Sequence, residues 1–153
     1  MDDGLAAWLR LSLTPGVSAA TQRLLLARFG LPEQIFAAGR SAISQAAGHE
    51  VAGLLLAAPN QAAIEAALAW AAEDGNHILT LADAEYPRPL LEISDPPPLL
   101  YAKGTLSALA GDALAMVGAR SATPQGVANA EAFARSLAQT GLAIVSGLAL
   151  GID

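Results

Sequence analysis

Cysteine is absent from this 153-residue sequence. Without a thiol there is no disulfide and no thiolate metal site, a pattern that fits a cytosolic protein. Charge is also scarce: 14% of residues are Asp, Glu, Lys or Arg, and the formal balance is −6. That balance excludes a broadly basic nucleic-acid surface, so any hold on a polyanion must come from a few placed cations and from backbone N–H groups. No run of eighteen uninterrupted apolar residues occurs, and no membrane-crossing helix is predicted. The opening Met1-Asp2-Asp3 is acidic where a secretory signal begins basic. A cytoplasmic protein with no membrane partner is expected. Histidine is represented by His49 and His77 alone, neither beside a second ligand or a carboxylate at useful spacing. No metal site and no cofactor are expected, and with no nucleophile–base pair, no catalytic residue is assigned.

What is present is apolar. Hydrophobic residues make up 54%, with alanine and leucine prominent, which suits a packed core and favours helix over disorder. The length allows one medium domain or two small ones. In the first half, helices are predicted from Leu5, over Ala19–Phe29 with Ser18 as cap and Gly30 as stop, over Pro32–Ala38, over Ser41–Ala47, and from Pro59 to about Glu73. Trp8 and Trp70 read as core residues of this half. The character changes after Gly75. Short apolar strands are predicted at 77–81, 99–102, 113–117 and 142–145, with a proline-rich connection between the first two and a helix from Pro124 to Thr140 between the last two. The expected class is α/β: a small helical domain over 1–72, then a Rossmann-like domain over 73–153. Its segment 113–145 reads as a right-handed βαβ unit with parallel strands.

Two turns carry the chemistry. Val117-Gly118-Ala119-Arg120-Ser121-Ala122-Thr123 follows one predicted strand, and Ser146-Gly147-Leu148-Ala149-Leu150-Gly151-Ile152-Asp153 follows the other. Neighbouring parallel strands open their turns at one carboxyl edge, where open α/β sheets take ligands. Glycine admits a ligand close to the backbone, free N–H groups at a helix start favour an anion, and Arg120 adds a planar, permanently charged fork. Ser121, Thr123 and Ser146 add hydroxyls. The plainer account gives Gly118 and Gly147 to turn geometry, Ser121 or Thr123 to helix capping and Arg120 to solvent; two such turns beside one arginine favour an anion site. Neither turn has the Gly-x-Gly-x-x-Gly or Gly-Lys-Ser/Thr pattern, which lowers a triphosphate-hydrolysing reading.

The run Glu85-Tyr86-Pro87, Asp95-Pro96-Pro97-Pro98-Leu99-Leu100-Tyr101-Ala102-Lys103-Gly104, Met116-Val117-Gly118-Ala119-Arg120 and Ser146 to Asp153 resembles the DprA/Smf family across roughly residues 77–153. The helical half resembles that family's SAM-like N-terminal domain with lower specificity. The resemblance implies an extended Rossmann fold that binds single-stranded DNA and delivers it to the RecA recombinase in natural transformation, without catalysis. It implies phosphate contacts at Gly118, Arg120, Ser121, Ser146, Gly147 and Gly151. Asp153 is expected to be structural, accepting backbone N–H bonds, because a carboxylate facing phosphate would repel it. Lys103 and Tyr86 are additional candidates for DNA contact, although Tyr86 and Tyr101 also suit packing against the prolines. The family pattern continues beyond Gly-Ile-Asp with Ala-His and further strands. The chain therefore reads as a truncated Rossmann-like domain, short of the family's dimer and recombinase surfaces and expected to bind DNA weakly.

Thr14-Pro15-Gly16-Val17-Ser18 resembles a helix-hairpin-helix turn with Arg23 and Arg28 on the following helix; a plain helix connection is the favoured account. Two other function classes remain at this stage. One is a nucleotide- or phosphate-binding hydrolase, which needs a carboxylate directed into the pocket, with Asp153 the nearest. The other is a protein-interaction module built on the helical half.

Overall fold

The computed structural model describes residues 3–153; the reading of Met1 and Asp2 as an acidic opening lies outside them. The chain is mixed helix and sheet, and it divides into two compact units between Gly104 and Thr105. Among the described residues no single helix is long and apolar enough to cross a membrane.

The first unit holds six helices: α1 (Asp3–Ser12), α2 (Ala19–Phe29), α3 (Pro32–Ala37), α4 (Gly39–Ala47), α5 (His49–Leu56) and α6 (Gln61–Ala71). Ser18 caps α2 by accepting a hydrogen bond from the Thr21 N–H, and the Gly30 N–H closes its far end on the Leu26 carbonyl. Asn60, one residue inside the expected start at Pro59, caps α6. The helix α5 falls in a gap left by sequence reading. Its Gly53 weakens the helical signal, and its place is fixed by burial of Ala52 and Leu55 against Leu11, Val17, Leu25, Ile35 and Ile43. A second cluster gathers Leu9, Ile64 and Ala67. Trp8 is buried as expected. Trp70 is half-buried and meets the Tyr101 ring edge-on at a centroid distance of 5.2 Å.

The strands β1 (Asn76–Thr80) and β2 (Leu99–Lys103) belong to this first unit, although the composition shift at Gly75 suggests a boundary near residue 72. They pair antiparallel, from Asn76 opposite Lys103 to Thr80 opposite Leu99. Ile78 and Leu99 pack onto the cluster of Leu9, Ile64 and Ala67. The shift at Gly75 therefore marks a change from helix to strand and not the edge of a core. The proline-rich connection contains α7 (Arg88–Leu91) and is tied down by side chains. Arg23 on α2 pairs with Asp95 and donates to the Pro96 carbonyl (3.0 Å), while the Tyr86 hydroxyl donates to the Pro97 carbonyl (2.8 Å).

The second unit contains a short 3₁₀ turn at Leu106–Leu109, β3 (Ala113–Ala115), α8 (Pro124–Ala138) and β4 (Ala143–Val145). Here β3 and β4 run parallel, with Ala113, Leu114 and Ala115 opposite Ala143, Ile144 and Val145. The strand–helix–strand order agrees with the sequence expectation. The four strands form two separate two-stranded sheets, β1 with β2 and β3 with β4. Thr123 caps α8 by accepting from the Gly126 N–H at 3.1 Å, and Pro124 takes the first helical position, where a missing N–H costs nothing. From Thr105 to Asp153 no described side chain is buried. One helix on two three-residue strands cannot close a core, so Phe133, Val145 and Leu114 remain in part exposed.

Candidate anion site at two interlocked turns

The turns that follow β3 and β4 meet, and they meet through their glycines. A Cβ on Gly118 would lie 2.6 Å from the Ile152 Cβ, and one on Gly151 would lie 2.1 Å from the Ala119 carbonyl oxygen. Gly151 also sits at φ +103, a conformation L-residues rarely adopt. The Ile152 N–H donates to the Ala119 carbonyl (3.2 Å), and the Gly118 N–H donates to the Asp153 Oδ1 (3.0 Å). Ile152 is thereby seated between Gly118 and the first turn of α8, where its Cδ1 would lie 3.5 Å from a Cβ on Gly126. Two hydrogen bonds and two close glycine contacts thus bind 118–120 to 151–153, and Arg120 rides on the joint.

Arg120 is exposed and makes no ion pair among the described residues. Ser121 is exposed beside it, and Thr123, not Ser121, supplies the helix cap, so the Ser121 hydroxyl is left to solvent. On the other turn the Ser146 Oγ accepts from the Leu148 N–H at 3.2 Å. Leu148 has φ +52, the sole positive-φ non-glycine residue described, a conformation that costs a side-chain-bearing residue about 1–2 kcal/mol. Gly147 borders the Asp153 carboxylate, since a Cβ there would lie 3.1 Å from Oδ2. Gly118, Arg120, Ser121, Ser146, Gly147 and Gly151 therefore share one edge of the β3–β4 pair. Ser146, Gly151, Ile152 and Asp153 also line a cleft of about 260 Å³ shared with Glu131 and Ala134 of α8. Chemically, this edge offers one permanent cation and two hydroxyls, which suit an anionic oxygen cluster, while the space beside Gly118, Gly147 and Gly151 is filled by Ile152, the Asp153 carboxylate and the backbone of Ala119 and Arg120.

The geometry refines the role of two residues. The N–H of Gly118 is occupied by Asp153, so this glycine serves the joint between the turns. Asp153 makes the N–H contact that a loop-fixing carboxylate would make. Tyr86 and Lys103 lie in the first unit, and the other six candidates lie in the second. Tyr86 is 3% exposed with its hydroxyl engaged by Pro97, an arrangement that packs the ring and leaves no face for a base. Its phenol is pushed above the ordinary 10.0 by burial, with the charge of Arg23 pulling the other way. Lys103 ends β2 and is exposed. At the hairpin-like turn, Thr14 Oγ1 donates to the Arg10 carbonyl (2.7 Å) and Ser18 caps α2; Arg23 is committed to Asp95, and Arg28 lies over the Phe29 ring. These local partners support the plain helix connection.

The family model described as DNA recombination-mediator protein A matches residues 77–153. The chain belongs to the DprA/Smf family. It is 44% identical to Protein Smf of Escherichia coli (strain K12) over 91 residues, which is 59% of this chain and 24% of that protein. It is 31% identical to Protein Smf of Synechocystis over 154 aligned positions, or 97% of this chain and 39% of the relative. Over 82 residues it is 37% identical to the DNA processing protein DprA of Bacillus subtilis, covering 53% of this chain and 28% of that one. The chain thus spans between about a quarter and two fifths of the length of these relatives. The DprA/Smf match begins at β1, so it takes in the antiparallel pair of the first compact unit together with both interlocked turns.

One signal at this DprA/Smf site went unread in the sequence: the placement of charge. Arg120 is the one charged residue in the stretch 113–130, and 141–152 has none. Of the fourteen acidic residues, eleven precede residue 105. The overall −6 is therefore no guide to the field at the two turns.

Proposed function

We propose that this chain is a sequence-independent, phosphate-directed binder of single-stranded DNA that catalyses no reaction, and that Arg120 is its principal contact. The observation that carries the reading is the joint between the turns. Gly151 against Ala119 and Asp153 against Gly118 hold one exposed guanidinium, the Ser121 hydroxyl and the Ser146 turn on a single edge with no acidic residue in either loop before Asp153. Phosphate contacts from such a site carry no base information, so affinity should not depend on sequence. In the Rossmann-like fold of a complete DprA/Smf protein, this edge would be one part of a longer DNA path. The same protein, a cytoplasmic homodimer in this reading, would deliver the strand to the RecA recombinase during transformation. Its SAM-like helical domain would serve protein contacts. The names of the relatives, DNA processing protein and recombination mediator, support that setting.

The hydrolase alternative needs a carboxylate directed at the ligand. Asp153 instead accepts from Gly118, which favours binding over turnover. The test is fluorescence anisotropy with a labelled oligothymidylate. Arg120→Ala should weaken binding at least about tenfold, equivalent to about 1.4 kcal/mol. Unchanged affinity would overturn the proposal.

A further inference from the structure

We infer that Leu148 and Leu150, with Val117 on the facing turn, form an apolar platform for the nucleobases of the strand whose phosphates the same edge holds. The inference rests on the phosphate-binding reading above and adds a second ligand chemistry to it. These three are the most exposed large apolar side chains described, at 90%, 85% and 73%. They do not sit on the open face of the β3–β4 sheet. They sit on the two turns themselves, which Gly151 and Ala119 bring into contact. Leu148 is held in a left-handed conformation by a turn closed through Ser146, so its side chain is projected from the loop at an energetic cost. Sustained strain of this kind gathers at ligand sites.

The charge pattern selects the occupant. An apolar patch alone would suit a protein surface or a second copy of this chain. Here the patch lies on the same two turns as a lone cation, and neither loop has a carboxylate until Asp153, whose Oδ1 is taken up by the Gly118 N–H. A nucleotide presents a charged phosphate and a flat apolar face within one repeat, and single-stranded nucleic acid is commonly held by cations along its backbone and apolar, usually aromatic, side chains under its bases. Aliphatic side chains offer contact area to a base face without reading its edge, so the platform preserves indifference to sequence.

The experiment compares oligothymidylate with an abasic oligodeoxynucleotide of equal length, by anisotropy competition on the 153-residue chain. The variants are Arg120→Ala and the double substitution Leu148→Asn with Leu150→Ser. Asparagine tolerates the left-handed conformation at 148, so the joint between the turns is expected to survive, checked as unchanged amide protection at Gly118 and Ile152. The wild-type chain should prefer the base-bearing strand by about fivefold or more, as burial of a modest apolar area between the leucines and the base faces implies. The leucine variant should lose that preference and keep its affinity for the abasic strand, whereas Arg120→Ala should weaken both. Equal wild-type affinity for the two strands would overturn the platform and leave the phosphate site standing. A leucine variant that keeps the preference would overturn it too. Leucine-dependent self-association with DNA binding unaltered would assign the patch to a second copy instead. Binding to neither strand would overturn the phosphate reading and the platform with it.

Discussion

Residue 151 must be glycine for two separate reasons: its φ of +103, and an Ala119 carbonyl that a Cβ would meet at 2.1 Å. The second cannot be relieved by rotating a side chain, because the obstacle is backbone. Gly151→Ala should therefore destabilise the joint by about 2–3 kcal/mol, the upper part of the range for single substitutions, read as faster amide exchange at Gly118 and Ile152. Sequence reading marked Gly118, Arg120 and Gly151 as a group, because the turn chemistry of each is local. It assigned Gly118 to the ligand, and the partner that actually fills that space, Ile152, lies 34 positions away, a distance no local pattern spans. Tyr86 was legible as either a packing or a stacking residue, and burial decides for packing. Tyr86→Phe should cost about 1 kcal/mol through the lost bond to Pro97 and leave DNA affinity unchanged. It should also alter the alkaline limb of stability. The raised folded-state value means that the folded chain holds the phenolic proton more tightly than the unfolded chain. The stabilisation is complete below pH 10.0 and is lost as pH rises through the folded value; the wild-type urea midpoint should fall there more steeply than that of Tyr86→Phe.

Among the elements, α8 shows how local chemistry and site geometry meet. Thr123 caps the helix, Pro124 starts it, and Ile152 packs against its first turn, so the end of the Arg120 turn is fixed by the helix start. Thr123→Ala should cost about 1 kcal/mol, with loosening confined to the first turn, visible as faster amide exchange at Gly126. The helix α2 was legible residue for residue because its cap and its stop are both encoded in place, at Ser18 and Gly30. By contrast, α5 was invisible, as its eight residues include Gly53 and depend on tertiary burial of Ala52 and Leu55. Strand positions were readable from apolar runs, but pairing was not. The antiparallel partnership of β1 with β2 is set by Ile78 and Leu99 docking on α1 and α6, and by the Arg23 and Tyr86 ties that shape the proline connection.

Across the whole chain, burial and charge are unevenly shared. Every buried residue described precedes Thr105, and so do most carboxylates. Residues 1–104 alone should unfold cooperatively in urea, whereas residues 105–153 alone should show no cooperative transition, since small domains without buried side chains cannot offset chain entropy. The same asymmetry weakens the objection that an acidic chain cannot meet DNA, for neither turn carries an acidic residue before the engaged Asp153, although Glu131 lines the adjoining cleft.

The most direct measurement is the salt dependence of oligothymidylate affinity for the wild-type chain and for Arg120→Ala. If Arg120 neutralises a phosphate, log affinity should fall linearly with log salt, and the variant should lose about 0.7 from that slope, the share of one phosphate on a single strand. An identical slope in the two proteins, or wild-type binding indifferent to salt, would contradict the account.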